Sequence, residues 1–271
     1  MVKLEAEQPI GVFDSGVGGL TVAHSIKSLL PQEKIIYFGD TLHLPYGDKS
    51  GESVRFYACR ISDFLLEKNC KTILIACNTA SSTAYDEVVD HVAGQAIVLN
   101  VVDPVISMVC EKHKEGKVGV IGTKGTINSR TYELKIRQLN ASLEVISKAT
   151  PLFVPMIEEG FIYDDISNAI IRAYLTDHRF SGIHTLILGC THYPIIKRQI
   201  EKFFNFSIDV IDAAEIVARE LKATLDDRNL LHTSGPVQHE FYISDYTPFF
   251  EKIARMFFES EVRLEQLNFW K

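Results

Sequence analysis

The chain has 271 residues, of which 46% are hydrophobic, 23% charged and 10% aromatic, which is typical of an ordinary globular protein of one large or two small domains. Its formal net charge of −7 argues against a nucleic-acid-binding protein, which would need a basic face. The polar residues 1–9 lack the apolar segment of a secretory signal, and no apolar run approaches the roughly 20 residues of a membrane helix, so we expect a cytoplasmic protein with no membrane partner.

Short runs of β-branched residues alternate along the chain with longer stretches of helical periodicity. Strands are predicted, in chain order, at residues 10–13, 35–38, 72–76, 97–101, 117–121, 143–146, 185–188, 208–211 and near 241, and Asp103-Pro104 is predicted to end the fourth. Helices are predicted from about 20, at 52–68, from 79, at 126–139, 164–178 and 194–204, from about 213, and at 249–258, with a loop at 39–51. This alternation predicts an α/β protein with mostly parallel sheet flanked by helices.

Two pairs of segments in the two halves of the chain resemble each other. Residues 11–16 (GVFDSG) resemble 119–124 (GVIGTK), and residues 72–79 (TILIACNT) resemble 185–192 (TLILGCTH). Because the pairs occur in the same order at nearly the same spacing, they predict two pseudo-symmetric α/β lobes, although chance similarity between aliphatic strands is the alternative. We assign residues 1–101 and 213–271 to the first lobe and 102–212 to the second, with the active site in the cleft between them.

The chain has five cysteines, an odd number, and no CxxC pair, so we expect neither a disulfide framework nor a zinc ribbon. Cys77 and Cys190 each follow a predicted strand directly, where ligands bind in parallel α/β sheets. The start of the next helix should favour the thiolate and lower the pKa of each. Cys59, Cys70 and Cys110 lack this pattern and are expected to be structural. The alternative for the pair is two ordinary core residues.

Two acid/base groups on opposite sides of a cleft are what inversion at a carbon atom needs. One thiolate removes a proton from one face, and the opposite thiol returns a proton to the other face. Without a cofactor to hold the carbanion, hydrogen-bond donors must stabilise it through the neighbouring carboxylate. We expect no metal, because His192 beside Cys190 has no third ligand at a suitable spacing.

The turn at residues 14–20 (DSGVGGL) has three glycines in four positions, which suits close approach of backbone N–H groups to an anion. A simple tight turn is the alternative. The turn is not a Rossmann fingerprint, because Thr21 stands where the third glycine would be, and no Walker A lysine follows. Taken alone, the neighbouring carboxylates Glu158 and Glu159 are more typical of a solvated surface than of a catalytic site.

Four motifs together resemble glutamate racemase: DSGVGGL at 14–20, PYG at 45–47, ACNTAS at 76–81 and GCTHYP at 189–194. They occur in the family's order between about residues 10 and 223. The resemblance implies a cofactor-independent, two-thiol isomerase with two pseudo-symmetric lobes that interconverts L- and D-glutamate. It further implies D-glutamate supply for peptidoglycan synthesis, and so for cell wall biogenesis and cell shape, and it is compatible with a homodimer.

The resemblance also implies roles for individual residues. Cys77 and Cys190 would be the acid/base thiols, assisted by Asp14 on the side of Cys77 and by His192 and Glu158 on the side of Cys190, with Glu159 not excluded. The implied substrate contacts are Asp14, Ser15, Pro45, Tyr46, Gly47, Asn78, Thr79, Thr126, Thr191 and His192. The chain departs from many relatives at His43-Leu44, where an arginine-containing pair is common, and at Asp103, where glutamate is common.

Three other functions compete with this interpretation. An aspartate racemase, or another racemase of the same superfamily, is the nearest, although those relatives tend to carry a different residue at the position of His192. A small-anion binding module would use the glycine-rich turn at 14–20. A thiol oxidoreductase would cycle Cys77 and Cys190 and would depend on an oxidant.

Overall fold

The computed structural model describes residues 3–235, 237–258 and 264–271. In these ranges the strands are β1 (Ile10–Asp14), β2 (Ile35–Gly39), β3 (Thr72–Ile75), β4 (Ile97–Asn100), β5 (Gly116–Gly122), β6 (Leu143–Ala149), β7 (Ile183–Gly189), β8 (Asp209–Ile211), β9 (Glu240–Ile243) and β10 (Leu264–Gln266). The helices are α1 (Leu20–Leu29), α2 (Gly51–Glu67), α3 (Asn78–Val92), α4 (Asp103–Lys112), α5 (Lys124–Asn128), α6 (Thr131–Leu139), α7 (Phe153–Glu158), α8 (Asp165–Leu175), α9 (Lys197–Phe203), α10 (Ala214–Asp227) and α11 (Pro248–Phe258). Among these described helices, none is long and apolar enough to cross a bilayer.

The strands form two parallel sheets, which confirms the predicted two-lobed α/β fold. The first sheet has the order β10-β9-β2-β1-β3-β4, and the second has the order β6-β5-β7-β8. Every described strand pairing is parallel. In both sheets the central strand, β1 or β5, lies next to the strand that ends at a candidate cysteine, β3 or β7. The two halves therefore present their cysteines at equivalent strand ends.

The central strands are mainly apolar because helices cover both faces of each sheet. All residues of β1, β2 and β3 are buried, as parallel strands between two helical layers require. The strands of the first sheet come from residues 10–100 and 240–266, and those of the second from residues 116–211. The lobe boundaries at 101/102 and 212/213 stay a prediction.

Several predicted elements differ from the structure in their extent. The predicted helix at 126–139 is two helices, α5 and α6, because Arg130 between them has a left-handed backbone with φ of 57°. The predicted helix at 194–204 opens as a 3-10 turn, Tyr193–Ile196, before α9 begins. Sequence patterns missed α4, where Pro104 occupies the first turn that proline tolerates, and also missed the short α7 and β10.

Candidate active site

Cys77 and Cys190 line one cleft between the two lobes. Cys77 follows β3 and is the N-cap of α3, and Cys190 follows β7. The cleft has a volume of about 10 Å³, which is room for about one water molecule, so the two lobes are in contact around it. Its lining residues are Ser15, Leu44, Pro45, Tyr46, Gly47, Cys77, Asn78, Thr79, Thr123, Val154, Cys190, Thr191 and His192.

Cys77 lies in a buried pocket beside a carboxylate. Its sulfur is 3.8 Å from Ser15 Oγ and receives a hydrogen bond from the backbone N–H of Ala80. Burial raises the pKa of the Cys77 thiol well above its usual range, and the negative charge of Asp14 raises it further. The expectation that the helix start lowers this pKa is therefore wrong, because loss of solvation outweighs the hydrogen bonds at the N-cap.

Cys190 lies at the end of a chain of polar contacts. Its sulfur is 3.8 Å from His192 Nδ1, and His192 Nε2 is 2.5 Å from Glu158 Oε1. Burial by itself lowers the pKa of His192, but its hydrogen bonds to Cys190 and Glu158 raise this pKa well above the usual 6.5. Its position between a sulfur and a carboxylate therefore favours the protonated imidazole. Of the two neighbouring carboxylates, Glu158 makes the contact with His192.

The glycine-rich turn does hold an anion, but this anion is the side chain of Asp14. Asp14 Oδ2 accepts hydrogen bonds from the backbone N–H groups of Gly16 and Gly19, at 3.1 and 3.0 Å. Asp14 Oδ1 accepts a bond from Thr191 Oγ1 at 3.3 Å, across the lobe boundary. The carboxylate is fully buried, so the turn fixes a negative charge beside Cys77.

Gly18 is required by the close approach of the two lobes. A Cβ atom on Gly18 would lie 2.3 Å from Thr191 Oγ1 and 2.7 Å from His192 Nδ1. Both distances are far below van der Waals contact, so a side chain here would push the lobes apart or displace the imidazole. The turn of the first lobe thus packs directly on Thr191 and His192 of the second.

Asn78 presents a hydrogen-bond donor that has no partner in the described chain. Its side-chain Oδ1 accepts a 2.8 Å bond from the hydroxyl of Tyr132, which comes from the other lobe. Its Nδ2 is buried, and no partner for it occurs among the described residues. An unsatisfied buried donor costs about 1–3 kcal/mol. Because Asn78 lines the cleft, this donor suits an acceptor group of a bound ligand.

Hydroxyl groups of threonine join the lobes at one side of the cleft. Thr79 Oγ1 is 2.8 Å from Thr123 Oγ1 and 3.3 Å from Thr126 Oγ1. Thr126 is buried behind the lining, and its hydroxyl contacts those of Thr79 and Thr123. Thr79 and Thr123 line the cleft directly. Sequence reasoning selected Thr126 and missed Thr123, yet Thr123 is the counterpart of Ser15 in the internal similarity. That correspondence is the signal that could have found it.

The structure brings together in the cleft nearly all residues that the sequence singled out. Leu44 and Val154 also line it and were missed, because isolated aliphatic residues in a loop and a short helix carry no sequence signal. Asp14 and Glu158 lie just outside the lining, where they contact the lining residues Thr191 and His192. Among the described residues, no group of three or more His, Cys, Asp or Glu side chains is arranged to hold a metal ion.

Comparison with known proteins agrees with this arrangement. Residues 20–221 match the family described as Asp/Glu/Hydantoin racemase. The chain belongs to this family. It is therefore a racemase, an isomerase, and the predicted resemblance to glutamate racemases is confirmed by curated relatives. The glutamate racemases of Chlorobaculum parvum and Chlorobaculum tepidum are 41% and 42% identical to it over 261 residues, which is 96% of this chain and 96% of each relative.

Solved structures of family members match the whole fold. Glutamate racemase from Francisella tularensis, crystallised with D-glutamate, aligns with a TM-score of 0.90 at 39% identity, covering 98% of this chain and 99% of that one. The Escherichia coli glutamate racemase, crystallised with L-glutamate and the activator UDP-MurNAc-ala, aligns with a TM-score of 0.76 at 25% identity, covering 96% and 98%. An aspartate racemase homologue from Pyrococcus horikoshii shares only the fold, with 19% identity and a TM-score of 0.54.

Proposed function

We propose that the protein interconverts L- and D-glutamate without a cofactor, with Cys77 and Cys190 as the two acid/base groups. The observation that carries this proposal is the placement of both thiols in one interlobe cleft, each at the carboxyl end of an equivalent strand. The racemase relatives that match nearly the full chain are glutamate racemases, which supports glutamate as the substrate.

In the proposed reaction one thiolate removes the α-proton and becomes a thiol. The electron pair stays on the substrate as a carbanion, delocalised into the α-carboxylate, and the opposite thiol then donates its proton to the other face and becomes a thiolate. The raised pKa of Cys77 makes this residue the proton donor in the resting state. The protonated His192 offers a positive partner to a thiolate at Cys190. Protons must be exchanged between turnovers to restore this state.

Glutamate brings two carboxylates and an ammonium group into the cleft. We assign the Nδ2 of Asn78, which has no partner in the described part of the chain, together with nearby hydroxyls, to the carboxylates. Donors fixed in place cost no reorganisation when charge develops. The proposed substrate-binding residues are Asp14, Ser15, Pro45, Tyr46, Gly47, Asn78, Thr79, Thr126, Thr191 and His192. Catalytic roles go to Cys77, Cys190, Asp14, Glu158 and His192.

The narrow cleft means that the lobes must separate for glutamate to enter. A cleft of about 10 Å³ is far smaller than an amino acid, and the lobes touch closely at Gly47, whose added Cβ would lie 2.4 Å from Thr123 Cβ. Closure around the substrate would then exclude water from the carbanion.

The second candidate substrate is aspartate, which the family description includes. A side chain shorter by one methylene changes binding by only about 1–3 kcal/mol in a pocket. We expect discrimination in favour of glutamate, and a comparison of kcat/KM for the two acids measures it.

We further propose that the protein supplies D-glutamate for peptidoglycan synthesis in the cytoplasm, and so contributes to cell wall biogenesis and cell shape. We also propose that it works as a homodimer.

The decisive experiment follows racemisation in D₂O with dialysed protein, a thiol reductant and a chelator. Starting from either pure enantiomer of glutamate, we expect the α-proton signal in NMR and the circular dichroism signal both to disappear. Cys77→Ala and Cys190→Ala should each abolish the reaction, whereas the matched control Cys59→Ala should not. Normal activity in both active-site alanine variants would exclude the two-thiol mechanism. If the protein racemises aspartate but not glutamate, aspartate is the substrate and the proposal of glutamate is wrong.

A further inference from the structure

The side chain of Asp40, at the end of β2, joins three distant parts of the chain. This carboxylate is fully buried. Its Oδ2 accepts hydrogen bonds from Tyr46 OH at 2.7 Å and His43 Nδ1 at 2.9 Å. Its Oδ1 accepts bonds from Ser244 Oγ at 2.7 Å and from the indole N–H of Trp270 at 2.8 Å. A buried carboxylate with these donors is held rigidly, and so is each group that donates to it.

One of those groups belongs to the candidate active site. Tyr46 is almost fully buried and lines the cleft together with Pro45 and Gly47. Its hydroxyl is bound to Asp40, so this bond fixes where the loop at 44–47 stands against the thiols. The position of Asp40 is therefore transmitted to the wall of the substrate cleft.

Another of those groups belongs to the C-terminal tail. After β10 pairs with β9, the tail packs across α2, and the ring of Trp270 lies 4.8 Å from that of His43 and 5.2 Å from that of Tyr57. His43 is stacked on Tyr57 at 4.0 Å. Trp270 therefore contacts two residues that hold the loop at 44–47: the ring of His43, which directly precedes the loop, and the carboxylate of Asp40, which binds Tyr46.

We propose that Trp270 is a positioning residue for substrate binding, which acts through Asp40 on the loop at 44–47. The inference rests on the proposed function, because the loop matters only if the cleft binds the substrate. Loss of the indole N–H leaves Asp40 short of a donor while Tyr46 and His43 still depend on it. The loop then holds a less defined position, which weakens substrate binding more than it slows proton transfer.

The variant Trp270→Phe removes the donor and keeps an aromatic ring. We expect KM for glutamate to rise by about three- to tenfold, with kcat changed less than twofold. This is less than the full effect of a hydrogen bond to a charged group, because Trp270 acts on the loop only through Asp40. Phe269→Leu is the matched control: it loosens the tail against Phe38 and Phe64 but leaves the bond to Asp40, and should keep KM within about twofold. Equal KM effects in both variants, or a lowered Tm with KM unchanged, would assign Trp270 a purely structural role.

A double-mutant cycle tests the route through Asp40. In Tyr46→Phe the direct bond from Asp40 to the loop at 44–47 is already lost, so adding Trp270→Phe should raise KM by less than it does in the wild type. Additive effects of the two substitutions would contradict the proposal.

A measurement without turnover separates this inference from the proposed function. Trp270 is the only tryptophan of the chain, so acrylamide quenching of fluorescence reports directly on the docking of the tail. Asp40→Asn should at least double the quenching if Asp40 holds the indole, and unchanged quenching would overturn that link. If wild-type protein fails to racemise glutamate, the proposed function falls while the quenching result still stands. If Asp40→Asn fails to fold, the double-mutant cycle of Tyr46→Phe and Trp270→Phe tests the route through Asp40 in its place.

Discussion

The two candidate thiols occupy equivalent positions in similar lobes but have opposite electrostatic surroundings. Cys77 is deeply buried beside the carboxylate of Asp14, and its pKa is raised. Cys190 lies beside the imidazole of His192, whose pKa is raised as well and which Glu158 holds in place. Equivalent positions in the two lobes therefore do not imply equivalent surroundings. A carboxylate lies beside one sulfur and an imidazole beside the other, so the proposed reaction would start from an asymmetric pair.

Replacing the sulfur of either active-site cysteine with oxygen is expected to have the largest effect on activity. Cys77→Ser and Cys190→Ser should each lower kcat by about 10²–10⁴, because a hydroxyl is a much poorer acid/base group at this pH. Each variant should retain slow α-proton exchange from only one enantiomer, and from opposite enantiomers in the two variants. Deuterium incorporation into L- and D-glutamate, measured separately by NMR, checks this. The same preference in both variants would contradict opposite-face action, and Cys59→Ser serves as the control.

Removal of the cation beside Cys190 should have the next largest effect. His192→Asn keeps a polar side chain but loses the positive charge, and we expect kcat to fall by about 10². The pH profile of kcat/KM should lose the limb that His192 contributes. Glu158→Gln should act in the same direction but more weakly, because it leaves the imidazole in place. If the pH profile of kcat/KM is the same in His192→Asn as in the wild type, the protonation of the imidazole does not control the rate.

The same histidine predicts how stability depends on pH. Its pKa in the folded protein lies above the unfolded value of about 6.5, so its charged partners stabilise the folded state fully below pH 6.5. That contribution is lost as pH rises through the raised pKa. Melting temperatures across this range should therefore fall more steeply with pH in the wild type than in His192→Asn. Parallel curves for the two proteins would mean that this contact contributes nothing to stability.

Neutralising Asp14 tests the opposite environment around Cys77. Asp14→Asn removes a negative charge, so the pKa of Cys77 should decrease, while burial still keeps it raised. Because the carboxylate also accepts N–H bonds from Gly16 and Gly19, we expect a loss of about 1–3 kcal/mol in unfolding free energy. Ultraviolet titration of the thiolate in a Cys190→Ala background measures the pKa shift. No shift there would mean that Asp14 does not influence the thiol.

The smallest effect is expected from the hydrogen bond by which Tyr132 of the second lobe orients the side chain of Asn78 in the first. Tyr132→Phe leaves Asn78 Oδ1 without its donor, so the amide can turn and Nδ2 no longer faces the cleft reliably. We expect KM to rise about threefold, equivalent to a typical neutral hydrogen bond, with kcat nearly unchanged. Steady-state kinetics in both directions check this. Tyr174→Phe, a change elsewhere in the second lobe, is the control.

Much of the site could be predicted from local sequence, and the limits have physical causes. Cys77, Cys190 and the glycine turn were found because each directly follows a short aliphatic run, and strand ends in parallel sheets meet at one edge. Thr123 was missed although the internal similarity pairs it with Ser15. Leu44 and Val154 were missed because their role depends on shape alone. Glu158 could not be separated from Glu159, since the choice depends on which side of one helical turn faces His192.

The amino-acid sequence by itself determined the alternation of strands and helices, the two-lobed architecture and the pair of strand-end thiols, because hydrophobic periodicity and motif order are local properties. The electrostatic surroundings of the two thiols came from the tertiary structure, because burial and the interactions with Asp14 or His192 exist only after folding. The tertiary structure alone also placed Trp270 on Asp40. Residues so far apart in the chain meet when β9 and β10 extend the first sheet, and no local pattern records that contact.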